Sequence, residues 1–282
     1  MKMKLTARKR EVLSYFRNKA DHYDDVDKQL YWNLSDAVLW NLLYKLVLSK
    51  LKNKKIKLLD AGAGTGRWGI KIAEELGCET LLFDISKEML EVAKRKVAKK
   101  KLIHLVTIQQ GDIEKPEFPE GSLYDLAILL HNVLSFVDNP QKALKNVGRV
   151  TNKGGYVVAI VANKYHALYF SNVTSQFGEL DRVMKRGQIK FAKDSPPMHT
   201  FTQSSLYKLL KKSGFSSAKI YGFPITIYPN MEETTLAKNS KYMKKNLIQK
   251  DIMKKLLEIE GKVCLEEQAA SRGNMLLAIG RK

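Results

Sequence analysis

With 282 residues, 44% of them hydrophobic and 28% charged, the chain can bury a sizeable core, which excludes it from the disordered class. No apolar run is long enough to span a bilayer, and two cysteines, Cys78 and Cys264, are too few for a disulfide framework or a zinc cluster. The formal net charge of +20 suits an acidic substrate, nucleic acid or a membrane surface, although lysines interleaved with glutamates equally make a solvated helix face.

The basic N-terminus lacks the apolar stretch of a signal peptide, so a cytoplasmic protein with reduced thiols is expected. Residues 1–55 read as two helices around a polar break. The first covers Thr6–Lys19, the break is Ala20–Asp25, and the second starts near Ser35 as its N-cap, with Leu39, Leu42, Leu43, Leu46 and Val47 on one face.

From Lys57 the pattern alternates strand and helix. Lys57–Leu59 end a buried strand, Asp60 closes it, and Gly62, Gly64 and Gly66 form a turn that opens a helix at Arg67. Such a turn brings backbone N–H groups close to a ligand. A dinucleotide-binding turn of the form G-x-G-x-x-G would need glycine at position 67, where Arg67 stands. Glu79–Phe83 is a second strand ended by Asp84, one strand–helix–strand unit beyond the first glycine, where a carboxylate can accept both ribose hydroxyls of an adenosine cofactor. Ser86 caps the next helix, with Leu90, Ala93 and Val97 inward. A third strand, Ile103–Gln109, leads to Gly111 and Asp112. Three acids at three successive strand ends favour an adenosine ligand other than NAD, for which the third has no comparable role.

Tyr124–Leu130 is an apolar fourth strand with His131 at its carboxyl end. Asn139 and Pro140 begin the next helix as N-cap and first residue, and Tyr156–Ala162 is strand five. An insertion at about 163–198 carries Tyr165, Tyr169 and Phe170. The scaffold resumes at His199, continues through a helix to Ser213 and strand six at Ala218–Tyr221, and ends in strand seven from Asn274. A second insertion at about 224–272 is lysine-rich, with Ile248, Ile252, Leu256 and Ile259 on one helical face. Lysines within Lys238–Lys255 are placed to steer an acidic substrate.

The D-x-G-x-G-x-G turn, the D-I-S-K-E-M-L stretch from Asp84, the Gly111-Asp112 pair and the T-N-K-G-G turn at Thr151 together resemble the class I S-adenosylmethionine-dependent methyltransferase family. The likeness runs well over 56–162 and moderately over 199–222 and 273–282. It implies an α/β fold, a doubly wound, seven-stranded, mostly parallel Rossmann-like sheet. A helical cap at 1–55 would precede a methyltransferase domain at 56–282, and the last strand would run antiparallel beside strand six. It implies S-adenosyl-L-methionine as cofactor and no metal. The expected cofactor-binding set is Tyr23, Trp32, Asp60, Gly62, Ala63, Gly64, Asp84, Ile85, Met89, Asp112, Ile113 and His131. Tyr23 and Trp32 would come from the cap, Met89 and Ile113 would border the adenine, and Asp112 would accept its amino group.

Methyl transfer from a sulfonium is an in-line displacement governed by positioning, with a base needed only when the acceptor must lose a proton. His22, His131, His166 and His199 fall in segments expected to meet above the methyl. His131 is the first and His199 the second candidate base. No N-P-P-Y or D-P-P-Y follows strand four, and no cysteine lies nearby, which disfavours amine- and cytosine-methylating nucleic-acid enzymes. The expected substrate is a small molecule or peptide, with an acidic one or a carboxylate suited to the positive charge, as in natural-product biosynthesis. An RNA-modifying enzyme using the basic surface is the alternative, and a non-catalytic partner subunit is disfavoured by the intact acids.

Overall fold

Thr6 opens the N-terminal helix α1 (Ala7–Lys19), its hydroxyl accepting the Lys9 N–H at 3.2 Å. The computed structural model describes residues 5–52, 54–119, 121–226 and 248–282. The polar break is a run of 3-10 turns, Ala20–Lys28, that winds directly into α2 (Leu30–Leu43). Ser35 is therefore no cap. It lies buried inside α2 because the turn is closed earlier, by the Gln29 N–H on the Val26 carbonyl.

The parallel core follows: β1 (Lys57–Ala61), α3 (Arg67–Leu76), β2 (Glu79–Asp84), α4 (Lys87–Lys99), β3 (Val106–Gln110), β4 (Tyr124–Leu129), a short α5 (Val133–Phe136), α6 (Pro140–Arg149) and β5 (Thr151–Asn163). Ser86 and Asn139 cap α4 and α6 as their sequence positions predict. The third strand starts later than predicted. Leu105 and Val106 both donate to the Leu102 carbonyl, and this turn leaves Ile103 72% exposed and His104 outside the sheet.

The inserted segment forms α7 (Lys164–Val173), α8 (Phe177–Arg186), β6 (Gln188–Ile189) and β7 (Met198–Phe201). Then come α9 (Gln203–Lys212), β8 (Ser217–Phe223), α10 (Lys250–Val263) and β9 (Met275–Arg281). The parallel strands run in the order β3-β2-β1-β4-β5, and β9 lies between β5 and β8, antiparallel to both. The seven expected strands are all present. Two short ones extend them, β7 pairing in parallel with the end of β5 and β6 pairing with β7.

Alternate strand residues feed opposite faces. Leu58, Leu126 and Ile128 pack with Leu34, Val38 and Leu42 of α2, while Leu59, Ala127 and Leu129 pack with Leu144 and Val147 of α6 and Leu210 of α9. Helix α2 is thus a layer of the core, while α1 and the 3-10 run reach the cleft at the carboxyl ends of the strands. Strand order reverses between β1 and β4, and the crevice outside that switch point is where open α/β sheets bind ligands.

On α10 the predicted apolar face is rotated. Leu256 packs inward as expected, but Met253 and Leu257 join it, whereas Ile259 and, ahead of the helix, Ile248 are exposed. The inner face also carries Glu260, fully buried, whose carboxylate accepts the Ile225 N–H at 2.8 Å and the Thr226 N–H at 2.6 Å. Of the lysines assigned to steering, those from Lys238 to Lys245 lie outside the described residues.

Candidate active site

The glycine turn is built on left-handed backbone. Gly62 has φ +86° and Gly64 φ +54°, and a Cβ at Gly62 would lie 2.4 Å from the Val133 side chain. The Gly62 and Ala63 N–H groups donate to the Phe83 carbonyl at 2.7 and 3.1 Å, fixing the turn to the end of β2. Asp84 completes the clamp. One oxygen accepts the Gly64 N–H and the other the Ser86 N–H, each at 2.8 Å. Each oxygen keeps a lone pair for a hydroxyl donor.

Asp60 is 3% exposed and accepts the Gly69 N–H at 3.0 Å. Burial, reinforced by the Asp84 charge and opposed by the Gly69 N–H, pushes its carboxyl up to about 7. Asp112 accepts the Glu114 N–H on one oxygen at 2.9 Å and the Lys9 ammonium on the other at 2.5 Å. Every expected cofactor-binding residue except Trp32 lines one cleft above these strand ends. Trp32 lines an adjoining chamber of about 460 Å³, which also borders on Tyr23 and His131.

Several lining residues escaped the sequence reading. Lys9, Val12, Leu13 and Phe16 present one face of α1 to the cleft, at the spacing of a helical stripe. A lysine inside that apolar stripe was the available signal. Its ammonium is bound by Asp112 and, at 2.8 Å, by Glu114, which also accepts the Asp138 and Asn139 N–H groups ahead of α6. Arg67, the residue that breaks the dinucleotide pattern, lines the cleft and is bound by Asp27 and Asp36.

The histidines do not converge as expected. His131 (φ +53°) and Asn132 (φ +67°) are consecutive left-handed residues at the end of β4, a conformation that costs energy outside glycine. The His131 Nε2 accepts the Trp68 indole N–H at 2.5 Å, which fixes the proton on Nδ1. Burial, then the nearby Arg67 guanidinium, pushes its pKa down to about 3. Its Nε2 lone pair is thus already engaged, and the ring offers a donor, Nδ1–H, on its other side.

His199 lines neither cavity among the described residues. It sits on β7 with Nε2 3.1 Å from the Val137 carbonyl, and burial lowers its pKa. His166 is buried against Asn274 at 2.8 Å, and His22 reaches the chamber, as His131 does, 82% exposed and paired with Asp25 at 3.3 Å. Tyr165 and Tyr169 face outward, 52% and 47% exposed, because His166 and Phe170 take the inner face of α7. Among the described residues no cluster of His, Cys, Asp and Glu could hold a metal, and no helix is long and apolar enough to cross a membrane.

A glycine cradle, a ribose-height carboxylate and a third acid beside an apolar slot (Met89, Ile113) form a donor and acceptor set that fits an adenosine-bearing cofactor. Comparison with known proteins agrees. A family model described as a methyltransferase domain matches residues 52–261. The tRNA 5-carboxymethoxyuridine methyltransferase of Escherichia coli (strain K12) is 26% identical over 258 residues, covering 88% of each chain. The demethylmenaquinone methyltransferase of Staphylococcus haemolyticus (strain JCSC1435) is 28% identical over 239 residues, covering 77% of this chain and 90% of the relative. Among solved structures, an S-adenosylmethionine-dependent methyltransferase of Thermotoga maritima shares the fold with a TM-score of 0.53 at 17% identity, covering 96% of this chain and 99% of that one. Phosphoethanolamine N-methyltransferase 2 of Haemonchus contortus, in complex with S-adenosyl-L-methionine, has a TM-score of 0.54 at 19% identity and covers 95% of this chain and 60% of that one.

Proposed function

The chain belongs to the class I S-adenosylmethionine-dependent methyltransferases, and we propose that its acceptor is a carboxylate carried on a modified uridine of transfer RNA. It is an enzyme, its cofactor is S-adenosylmethionine, and it methylates a small molecule or an RNA base. The bound cofactor supplies an electrophilic methyl on a sulfonium. Within the cleft Asp84 would hold the ribose hydroxyls and Asp112 the adenine amino group, with Met89 and Ile113 beside the ring. Tyr23, Phe16 and Phe136 lie where the cleft meets the chamber and exclude water between cofactor and acceptor.

One observation carries the choice of acceptor: the histidine at the junction, His131, has its Nε2 lone pair taken by the Trp68 indole N–H, and its pKa is lowered as well. A hydroxyl or ammonium acceptor must give up a proton, whereas a carboxylate attacks as it stands. Burial likewise raises the Tyr23 phenol, which keeps it protonated near neutral pH. The relative covering 88% of each chain is by name a methyltransferase of a carboxymethoxy-bearing uridine in tRNA. The charge of +20 and the exposed rings of Tyr165 and Tyr169 suit a polyanion with unstacked bases.

The test is methylation of transfer RNA containing 5-carboxymethoxyuridine with methyl-labelled cofactor. The label should enter as an ester released by mild base, with turnover nearly level from about pH 6 to 8. His131→Ala and His22→Ala should each keep turnover within about tenfold, since neither removes a required base. Loss of turnover in His22→Ala with a matching acid limb would move the acceptor to a group that must be deprotonated. The aromatic lining of the chamber favours a second reading, an apolar small molecule, consistent with the quinone-methylating relative; label extracted into organic solvent and absent from RNA would select it.

Cofactor binding should also be coupled to proton release. With a folded pKa of about 7, Asp60 keeps a proton that the unfolded chain loses near the ordinary carboxylate value. Its contribution to stability therefore falls as pH rises from about 4 to 7 and is constant above. A cationic cofactor favours the ionised form, so affinity should rise with pH up to about 7. Calorimetry in buffers of different ionisation enthalpy should detect the released proton, and Asp60→Asn should abolish it. Equal heats in all buffers for the unaltered protein would remove this role.

A further inference from the structure

Among the described residues three Lys or Arg side chains line the cleft and the chamber, and two of them are locked. Lys9 is held by Asp112 and Glu114, and Arg67 by Asp27 and Asp36. The third, Lys19, is the last residue of α1 and the one described Lys or Arg on the chamber wall. Among the described residues no carboxylate lies within 4.0 Å of its ammonium. It donates instead to the Tyr15 hydroxyl at 2.7 Å and stands 4.2 Å over that ring, and Tyr15 lines the same wall. Two ammonium hydrogens and the phenol hydrogen remain as donors. The chamber's own acid, Asp25, is compensated by Lys28 at 2.7 Å and His22 at 3.3 Å, and Lys28 holds its carboxyl below the usual range. Among the described lining residues, Lys19 is therefore the one Lys or Arg without a carboxylate partner.

We propose that Lys19 and Tyr15 form the subsite that grips the acceptor's carboxylate and distinguishes it from the methylated product. This rests on the carboxylate reading above and adds the residues that recognise it. In the transfer, a carboxylate oxygen forms a bond to the methyl carbon as the carbon–sulfur bond breaks, its electron pair staying on sulfur. No proton moves, and the acceptor passes from a monoanion to a neutral ester. The Lys19 contact exists for the substrate and is lost in the product, so the chemistry itself weakens binding and clears the chamber. Lys19 is a positioning and selectivity residue; it takes no proton and touches no cofactor atom.

The test uses an anticodon stem-loop carrying 5-carboxymethoxyuridine and the same stem-loop with the methyl ester, titrated onto the full chain by fluorescence anisotropy without cofactor. The unaltered protein should bind the acid about tenfold more tightly than the ester. Lys19→Gln should weaken the acid to the level of the ester and leave the ester unchanged, Lys19→Arg should restore most of the difference, and Tyr15→Phe should lose part of it. In turnover, Lys19→Gln should raise KM for the acid with kcat changed by less than about threefold. Equal weakening of acid and ester would make Lys19 a general RNA phosphate contact, and no change in either would make it a solvated surface residue; both overturn the subsite. An unaltered protein that methylates the acid yet binds acid and ester equally overturns the subsite alone. Absence of any methylation of the acid overturns the substrate reading, and the subsite falls with it.

Discussion

Asp84→Ala should weaken S-adenosylmethionine binding by about 1.5–3 kcal/mol, roughly 10- to 150-fold, the range expected when hydrogen bonds to a charged acceptor are lost. The structure gives two reasons for so large an effect. Both oxygens are already engaged, one by the Gly64 N–H and one by the Ser86 N–H, so the residue holds the glycine turn as well as offering lone pairs to the ribose. Its burial raises the carboxyl's pKa, and the Ser86 and Gly64 N–H groups work against that rise, which shows that these contacts stabilise the ionised form. Asp84→Asn should be almost as harmful, because the amide nitrogen would face a backbone N–H at one of the two positions. Calorimetry with S-adenosylmethionine and S-adenosylhomocysteine should show the same loss for both, since the ribose is common to them. Affinity close to that of the unaltered protein would take the ribose contact away from Asp84.

The cofactor cleft was legible because it is made of backbone-dictated residues. Glycines at left-handed positions, acids at strand ends and a serine cap have local causes, so Gly62, Gly64, Asp84, Ser86 and Asp112 could be placed from spacing. Contacts made by distant segments were not legible. Lys9 meets Asp112 across 103 residues and Arg67 meets Asp36 across 31, and nothing in the local pattern of either residue names its partner. His131 shows the same limit. Its position at the end of β4 was correct, but the indole that engages Nε2 and the burial that lowers its pKa come from α3 and the cap. Nor was it legible which way Tyr165 and Tyr169 face: the phase of α7, with His166 and Phe170 inward, turns them out. The start of α2 was missed for a related reason: its first turn is continuous with a 3-10 run and needs no side-chain cap.

Lys9→Met should be the most damaging single change outside the cofactor contacts. Lys9, Asp112 and Glu114 are 9%, 6% and 4% exposed, so deleting the ammonium strands two carboxylates that water barely reaches. Breaking a buried ion pair from one side costs about 3–5 kcal/mol when the remaining charge stays buried. The chain has a way to limit that cost, which is to lift α1. The helix is otherwise pinned by Arg8, whose guanidinium donates to the Ser135, Phe136 and Pro197 carbonyls at 2.9, 3.1 and 2.7 Å. Part of the penalty should therefore appear as faster amide exchange in α1, and part as weaker cofactor binding, because Val12, Leu13 and Phe16 leave the cleft with it. Methionine keeps most of the apolar stem, so lost packing contributes little. Removing the facing charge separates charge from packing. Adding Glu114→Gln to Lys9→Met should recover part of the loss, because it takes away one of the two stranded carboxylates. A double variant no better than the single one would mean that Lys9 acts through packing and not through its charge.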